Sequence, residues 1–182
     1  MCPNESGDWL DDGLSFTPDD DWPLEQPHAP VPGEAQALVR RLSSGSMYVR
    51  TGILQLREDW VGREAEVAVR LGAEHVSYQQ WKVGQLQPQQ SFLLLSAQRL
   101  IDELDQLCVQ HTMRDTLLLS LLDLPLSQLS AAERTKFWQF MHGGFSKRPR
   151  ALLLALPEQA AAALPSDLEA WVLAERVAVW PT

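Results

Sequence analysis

The sequence has few of the residues and patterns on which specialised protein classes depend. Only two of its 182 residues are cysteines, Cys2 and Cys108, which excludes a disulfide framework. No apolar run is long enough to span a bilayer, so we expect no membrane segment. The first residues show no basic region followed by an apolar stretch. We therefore expect no signal peptide, and the cytoplasm is the expected location.

Lysine and arginine are missing from one part of the chain. Residues 1–34 hold nine of the 24 acidic side chains and no basic ones, which leaves 15 acidic against 15 basic residues elsewhere. The net charge of −9 therefore belongs to this segment. So much negative charge repels a phosphate backbone, and direct binding of DNA or RNA by this segment is not expected. The charge suits a basic partner surface, or mimicry of nucleic acid.

The acidic segment also carries large apolar side chains among its charges. Its six prolines and lack of periodicity predict an extended or disordered tail in isolation. Acidic segments with interleaved aromatics commonly order on a partner; the alternative is that the two tryptophans pack on their own domain. The predicted partner-binding residues are Trp9, Leu10, Phe16, Asp20, Asp21, Trp22 and Leu24. The motif "PDDDWPL" resembles the acidic tip of bacterial single-stranded-DNA-binding proteins.

Apolar runs and helical periodicities alternate through the second predicted domain, residues 35–182. Strands are predicted at 47–56, 73–81, 115–126, 150–157 and 176–180. Helices are predicted from Gly33 to residue 42 and within 63–72, 91–111, 130–144 and 158–175, with a loop at 82–90. This alternation predicts an α/β fold. We expect a doubly wound, mostly parallel five-stranded sheet with flanking helices, preceded by the extended acidic tail.

The junction after the first predicted strand has the length of a Walker A loop but not its chemistry. A Walker A loop reads G-x-x-x-x-G-K-[ST] between a strand and a helix. Placing Gly62 on the second glycine puts Arg57, Arg63 and Glu64 on the first glycine, the lysine and the hydroxyl position. Arg57 obstructs the left-handed turns of the loop, and the Glu64 carboxylate repels phosphate oxygens. We therefore predict that ATP or GTP binds very weakly here and that the protein uses no cofactor.

A second landmark of nucleotide-binding proteins is the run "LLLSLLD", which ends in Asp123. A Walker B strand ends in an Asp that holds Mg²⁺, but Leu124 and Pro125 replace the acid that would follow. Asp123 is then either a remnant of such a site or a turn-forming residue at a strand end. The predicted degenerate nucleotide site comprises Arg57, Gly62, Arg63, Glu64 and Asp123.

Two further groups of side chains could carry chemistry. The segment with Lys147, Arg148 and Arg150 could supply an arginine finger, be a solvated basic loop, or dock an acidic tail. Cys108 and His111 have the i, i+3 spacing of two metal ligands on a helix. No second pair accompanies them, so we predict a buried cysteine beside a surface histidine and no metal site.

The order of these landmarks resembles the P-loop NTPase superfamily, of the AAA+ or RecA-like kind, over about residues 47–180. The stretches "RLGAEHVSYQQW" and "RVAVWP" are similar to small ATPase subunits of BREX-type phage-defence systems of bacteria. The resemblance implies the fold, whereas the departures fall on the residues that touch nucleotide. They predict a pseudo-ATPase, an adaptor that binds an ATPase or DNA-processing protein in repair, replication control or phage defence. The alternatives are a divergent ATPase completed by a partner subunit, and an inhibitor or DNA mimic acting through residues 8–24.

Overall fold

The computed structural model describes residues 33–86, 95–111 and 113–181, which contain a five-stranded sheet flanked by helices. The strands are β1 (Thr51–Leu56), β2 (Glu74–Ser77), β3 (Thr116–Ser120), β4 (Ala151–Pro157) and β5 (Val177–Trp180). Their order is β2-β3-β4-β1-β5 and every pairing is parallel. The α/β prediction is therefore confirmed. The predicted partner-binding residues, from Trp9 to Leu24, lie outside the described residues.

Helices cover both faces of this sheet. They are α1 (Gly33–Ser43), α2 (Glu64–Leu71), α3 (Tyr78–Gln85), α4 (Ala97–Gln110), α5 (Asp123–Gln128), α6 (Ala131–Gln139) and α7 (Leu168–Leu173). A 3-10 turn occupies Glu58–Trp60, and a π-helical turn at Phe140–Gly144 extends α6. Within the described part of the chain, no helix combines the length and hydrophobicity needed to cross a membrane.

The core consists of two apolar layers, one on each face of the sheet. One layer joins α1 and α2 to the sheet and includes Leu38, Leu42, Leu54, Val67 and Leu153. The other joins α4, α6 and α7 to the sheet and includes Ile53, Leu104, Leu119, Phe137 and Trp171. Every residue of β3 is buried, as expected for a central strand of a parallel sheet. At Gly52, a Cβ atom would lie 3.2–3.3 Å from side chains of α1 and β4, so a glycine allows this close packing.

Several predicted boundaries proved correct because they depend on local hydrogen bonding. Helix α2 ends at Gly72, which has the left-handed φ of 69° typical of a C-cap. Helix α6 begins after Ser130, whose side chain accepts a hydrogen bond from the Glu133 N–H. The Glu133 carboxylate does not close the capping box. It accepts a hydrogen bond from the Ala97 N–H at 2.9 Å and thereby connects α6 to α4.

Three predicted elements were wrong in their extent. The strand predicted at 73–81 ends at Ser77, where the Ser77 hydroxyl caps α3, so part of the predicted loop is helical. The strand predicted at 115–126 ends at Ser120, because Leu121 turns into the left-handed region with φ 58°. The predicted helix at 158–175 is confined to Leu168–Leu173, and backbone turns precede it.

Candidate functional site

The topology of the sheet indicates where a ligand site belongs. Open α/β sheets bind ligands outside the carboxyl ends of their strands, where successive connections pass to opposite faces. The connection after β1 passes to the α1–α2 face, and those after β3 and β4 pass to the other face. Residues 57–63 follow β1 at this position. Arg57 donates its N–H to the Trp180 carbonyl (3.0 Å), and Glu158 donates to the Leu56 carbonyl (2.8 Å).

The loop at residues 57–63 does not have the backbone of a phosphate cradle. Arg57 is extended, with φ −67° and ψ 157°, and a 3-10 turn follows it. Within this loop, only Gly62 has a positive φ, of 87°. A phosphate nest needs successive N–H groups that converge on one point. Here the Val61 N–H instead turns back to the Glu58 carbonyl at 3.3 Å.

The carboxylate of Glu64 accepts a hydrogen bond from one backbone amide of this loop. The Gly62 N–H donates to Glu64 Oε1 at 2.9 Å, and Glu64 is only 8% exposed. An N–H just before a helix is the donor that a phosphate oxygen would use. The protein therefore satisfies this donor with its own anion. The same carboxylate brings a negative charge to the start of α2.

The arginine at the lysine position is also engaged. Arg63 places its guanidinium 4.3 Å from the centre of the Trp60 ring, and its Nη2 lies 2.6 Å from Glu66 Oε2. Arg70 approaches the same ring at 5.1 Å and bonds the other Glu66 oxygen. Hydrogen bonding by Arg63, followed by that of Arg70, holds the pKa of Glu66 below its usual value. Arg63 thus points along α2 rather than into the loop.

A histidine and a serine that were not predicted to interact form a pair close to Glu64. His75 Nε2 and Ser120 Oγ are 2.9 Å apart, and Ser120 is buried at the end of β3. Burial lowers the pKa of His75, and the negative charge of Glu64 opposes that shift. The two side chains meet because β2 pairs with β3. His75 lies opposite Leu118, two residues before Ser120 and on the same face.

Asp123 belongs to a different cavity. The prediction that a strand ends in Asp123 was wrong, because β3 stops at Ser120 and Asp123 is the first residue of α5. Its side chain lines a cavity of about 390 Å³ between α3, the start of α4 and α5. The structure therefore brings Gly62, Arg63 and Glu64 together. It places Asp123 apart from them, in the wall of the cavity between α3, α4 and α5.

That cavity contains a closed network of charges. Glu103 accepts hydrogen bonds from the Tyr78 hydroxyl (2.5 Å), the Lys82 ammonium and Arg99 Nε (3.1 Å). Burial alone would raise the pKa of Glu103, but the hydrogen bonds from Lys82, Tyr78 and Arg99 hold it below its usual value. Burial and the Glu103 carboxylate raise the pKa of Tyr78 far above its ordinary value. Both cations are thus engaged by one carboxylate.

The described residues do not contain a metal-binding cluster of three or more His, Cys, Asp or Glu side chains. Cys108 is buried, and burial raises the pKa of its thiol to about 12. His111 Nδ1 lies 2.7 Å from Glu74 Oε1. This histidine therefore braces the start of β2.

Comparison with known proteins gave no match to a family model, to a curated protein or to a solved structure. The functional interpretation therefore rests on the chemistry of the site. At the carboxyl end of β1, Glu64 accepts a hydrogen bond from the Gly62 amide, and Arg63 contacts Trp60 and Glu66.

Proposed function

We propose that this chain is a non-catalytic, NTPase-like accessory subunit, a pseudo-ATPase that acts by binding other proteins. The observation that carries the proposal is the hydrogen bond from the Gly62 N–H to the buried Glu64 carboxylate. Displacing that carboxylate would require the pocket to lose its own anion before it could accept another. Two negative groups competing for one donor at low effective dielectric repel each other strongly.

The strand order supports the NTPase-like part of the proposal. One strand, β4, separates β1, which precedes the loop with Gly62, from β3. In the two common doubly wound orders, β1 and β2 are neighbours. Here two strands lie between them.

The proposed partners are proteins, among them an ATPase or a DNA-processing protein of a bacterial repair, replication-control or phage-defence complex. The setting rests on the resemblance, and the binding role rests on the acidic segment at residues 1–34, whose apolar side chains alternate with charge. We expect the charge of this segment to select a basic partner surface, with Trp9 and Trp22 as apolar anchors.

Titration of the full-length protein with a fluorescent ATP analogue and Mg²⁺ tests whether the protein binds nucleotide. We expect no binding in the micromolar range for the natural sequence. The triple variant Arg57→Gly, Arg63→Lys, Glu64→Thr should gain affinity, because it restores the glycine, the ammonium and the hydroxyl. Glu64→Gln is the matched control, since it removes the charge and keeps an acceptor for the Gly62 N–H. Micromolar binding by the natural sequence would contradict the pseudo-ATPase proposal and favour the divergent-ATPase alternative.

Capture of partners by the immobilised full-length protein tests the binding part. We expect Trp9→Ala with Trp22→Ala, and separately Asp20→Asn with Asp21→Asn, to abolish capture of the main partner. The triple loop variant should still capture it, because the loop at residues 57–63 is not the proposed contact. Unchanged capture by both tail variants would contradict the assignment of these residues.

A further inference from the structure

The amino edge of the sheet, opposite the loop at residues 57–63, gathers basic side chains. Arg50 and Arg150 each directly precede a strand, and the Leu152 N–H bonds the Arg50 carbonyl at 2.8 Å. The end of α1 lies at the same edge, because Ser43 Oγ is 2.9 Å from Thr116 Oγ1 at the start of β3. The basic residues of this edge are Arg40, Arg41, Arg50, Arg114, Lys147, Arg148 and Arg150.

The carboxylates at this edge are already paired. Arg148 makes two hydrogen bonds of 2.7 Å to Asp105, and Arg41 pairs with Glu175. Arg50 uses its Nε to bond the Leu42 carbonyl at 2.7 Å. Over the ranges that the structure describes, the terminal nitrogens of Arg50 and the ammonium of Lys147 have no protein partner. Positive charge therefore remains available to an outside anion.

These two cations line one recess together with an exposed aromatic ring. A cavity of about 500 Å³ is bounded by Ser46, Tyr48, Arg50, Lys147 and Arg148. Tyr48 is 69% exposed, so most of the residue is accessible to solvent. The volume lies in the range of sites for small organic molecules and is sufficient for one nucleotide.

The walls of the recess are held in place. Val49 and Ser146 form an antiparallel bridge that joins the two segments. The Arg148 guanidinium lies 4.7 Å from the centre of the Phe145 ring. Lys147 has a φ of 59°, a left-handed conformation that costs a residue with a side chain roughly 1–2 kcal/mol. Such strain is retained where the surroundings hold it, and functional sites are the places where it collects.

We infer that this recess binds single-stranded nucleic acid. Arg50 and Lys147 contact phosphates, and one base stacks on Tyr48. A positively charged groove with an aromatic platform is the usual chemistry of such binding. A purely acidic peptide without aromatic side chains would use the cations but not the ring of Tyr48, whereas every base of a nucleic acid can stack on it. The recess lies between two loops, which suits a flexible strand. The inference does not depend on the proposed pseudo-ATPase function.

Fluorescence anisotropy of the full-length protein with a labelled oligothymidylate of about 12 nucleotides tests this inference. With two or three phosphate contacts, affinity should fall about tenfold between about 50 and 200 mM salt. Tyr48→Ala should weaken binding about fivefold or more, whereas Tyr48→Phe should leave it unchanged because the stacking surface is kept.

A matched pair of charge variants locates the contact. Lys147→Gln should weaken binding several-fold at about 50 mM salt and reduce the salt slope by about 0.7. Lys136→Gln removes one exposed cation from α6, outside the residues that line the recess, and should change neither quantity. Both side chains are exposed, so neither substitution should affect folding.

Three results would overturn the inference. The first is the absence of binding at low salt. The second is equal weakening by Lys147→Gln and Lys136→Gln, which would indicate a diffuse charge effect. The third is equally tight binding of a polyglutamate peptide of matched charge together with no effect of Tyr48→Ala. That result would identify the recess as a surface for acidic peptides.

Discussion

The two edges of the sheet differ in how they use their charges. At the carboxyl edge, the Glu64 carboxylate is satisfied by the Gly62 amide, and Arg63 is held by Glu66 and Trp60. At the amino edge, Arg50 and Lys147 line a recess, and no carboxylate pairs with them in the part of the chain that the structure describes. Topology places ligand sites at the carboxyl edge. The comparison shows that the Gly62 amide and Arg63 at the carboxyl edge are already engaged, whereas Arg50 and Lys147 line an open recess.

A buried cation supports the amino edge from inside. Arg176 is 4% exposed and donates from Nε to the Thr51 carbonyl (2.7 Å) and from Nη1 to the His142 carbonyl (2.8 Å). Its guanidinium also lies 4.3 Å from the centre of the Trp171 ring. Burial lowers the pKa of Arg176 to about 10. This arginine ties the π-helical turn after α6 to the first residue of β1.

The largest effect is expected from Arg176→Met. The substitution keeps the buried volume but leaves several carbonyl oxygens without donors, so the free energy of unfolding should fall by about 3–5 kcal/mol. Urea denaturation measures it. Arg176→Lys is the control and should recover only part of the loss, because an ammonium lacks the planar fork. A loss under about 1 kcal/mol would mean that the amino edge does not depend on this guanidinium.

A glycine pair compares the loop at the carboxyl edge with a helix. Gly62→Ala should destabilise by about 1–2 kcal/mol, because its φ of 87° strains a residue with a Cβ. Gly84→Ala in α3 should stabilise by about 0.5–1 kcal/mol, since an added Cβ there meets open space. Thermal unfolding of both variants shows whether the melting temperature falls for Gly62→Ala and rises for Gly84→Ala. Destabilisation by neither variant would show that the loop does not hold Gly62 in this conformation.

Two ion pairs test whether the edges differ in rigidity. Arg148 and Asp105, with side chains 26% and 36% exposed, form a bidentate pair, and their coupling should be about 1 kcal/mol after allowance for solvent screening. Arg63 and Glu66 are 50% and 40% exposed, and their coupling should be the smaller of the two because solvent screens it more strongly. Double-mutant cycles with alanine measure both. Equal couplings would remove this distinction between the edges.

The smallest effect is expected from the protonation of His75. Because burial lowers the pKa of His75 below its ordinary 6.5, the unfolded chain takes up a proton more readily than the folded protein. The contribution to stability is full above 6.5 and is lost as the pH falls through the lowered value. Urea midpoints on both sides of this range should shift more for the natural sequence than for His75→Gln. Parallel shifts in the two proteins would contradict the assignment to His75.

Elements specified by neighbouring residues could be predicted from the sequence. The left-handed Gly72 and the Ser130 cap each act within one turn of a helix, and the apolar run of β4 needs no partner to be recognised. The start of α3 could not be predicted in this way. It depends on Tyr78, which is held by a hydrogen bond to Glu103 on α4. Such a contact overrides the strand propensity of the preceding residues.

The candidate site divides in the same manner. Alignment to a Walker A loop placed Gly62, Arg63 and Glu64 in one loop, and the structure has them there. The pairing of His75 with Ser120 was not predictable, because the two residues are far apart in the chain and meet only where β2 pairs with β3. Asp123 was misplaced because its apolar run looks continuous, whereas the backbone turns at Leu121.

The sequence by itself determined the alternation of strands and helices, the concentration of negative charge in residues 1–34 and the presence of Arg57, Arg63 and Glu64 around Gly62. Only the tertiary structure decided which charges remain available, with Arg63 neutralised and Lys147 open to solvent. The physical reason is that composition counts charges, whereas pairing depends on distance. Residues far apart in the chain become neighbours only when the strands have taken their places in the sheet.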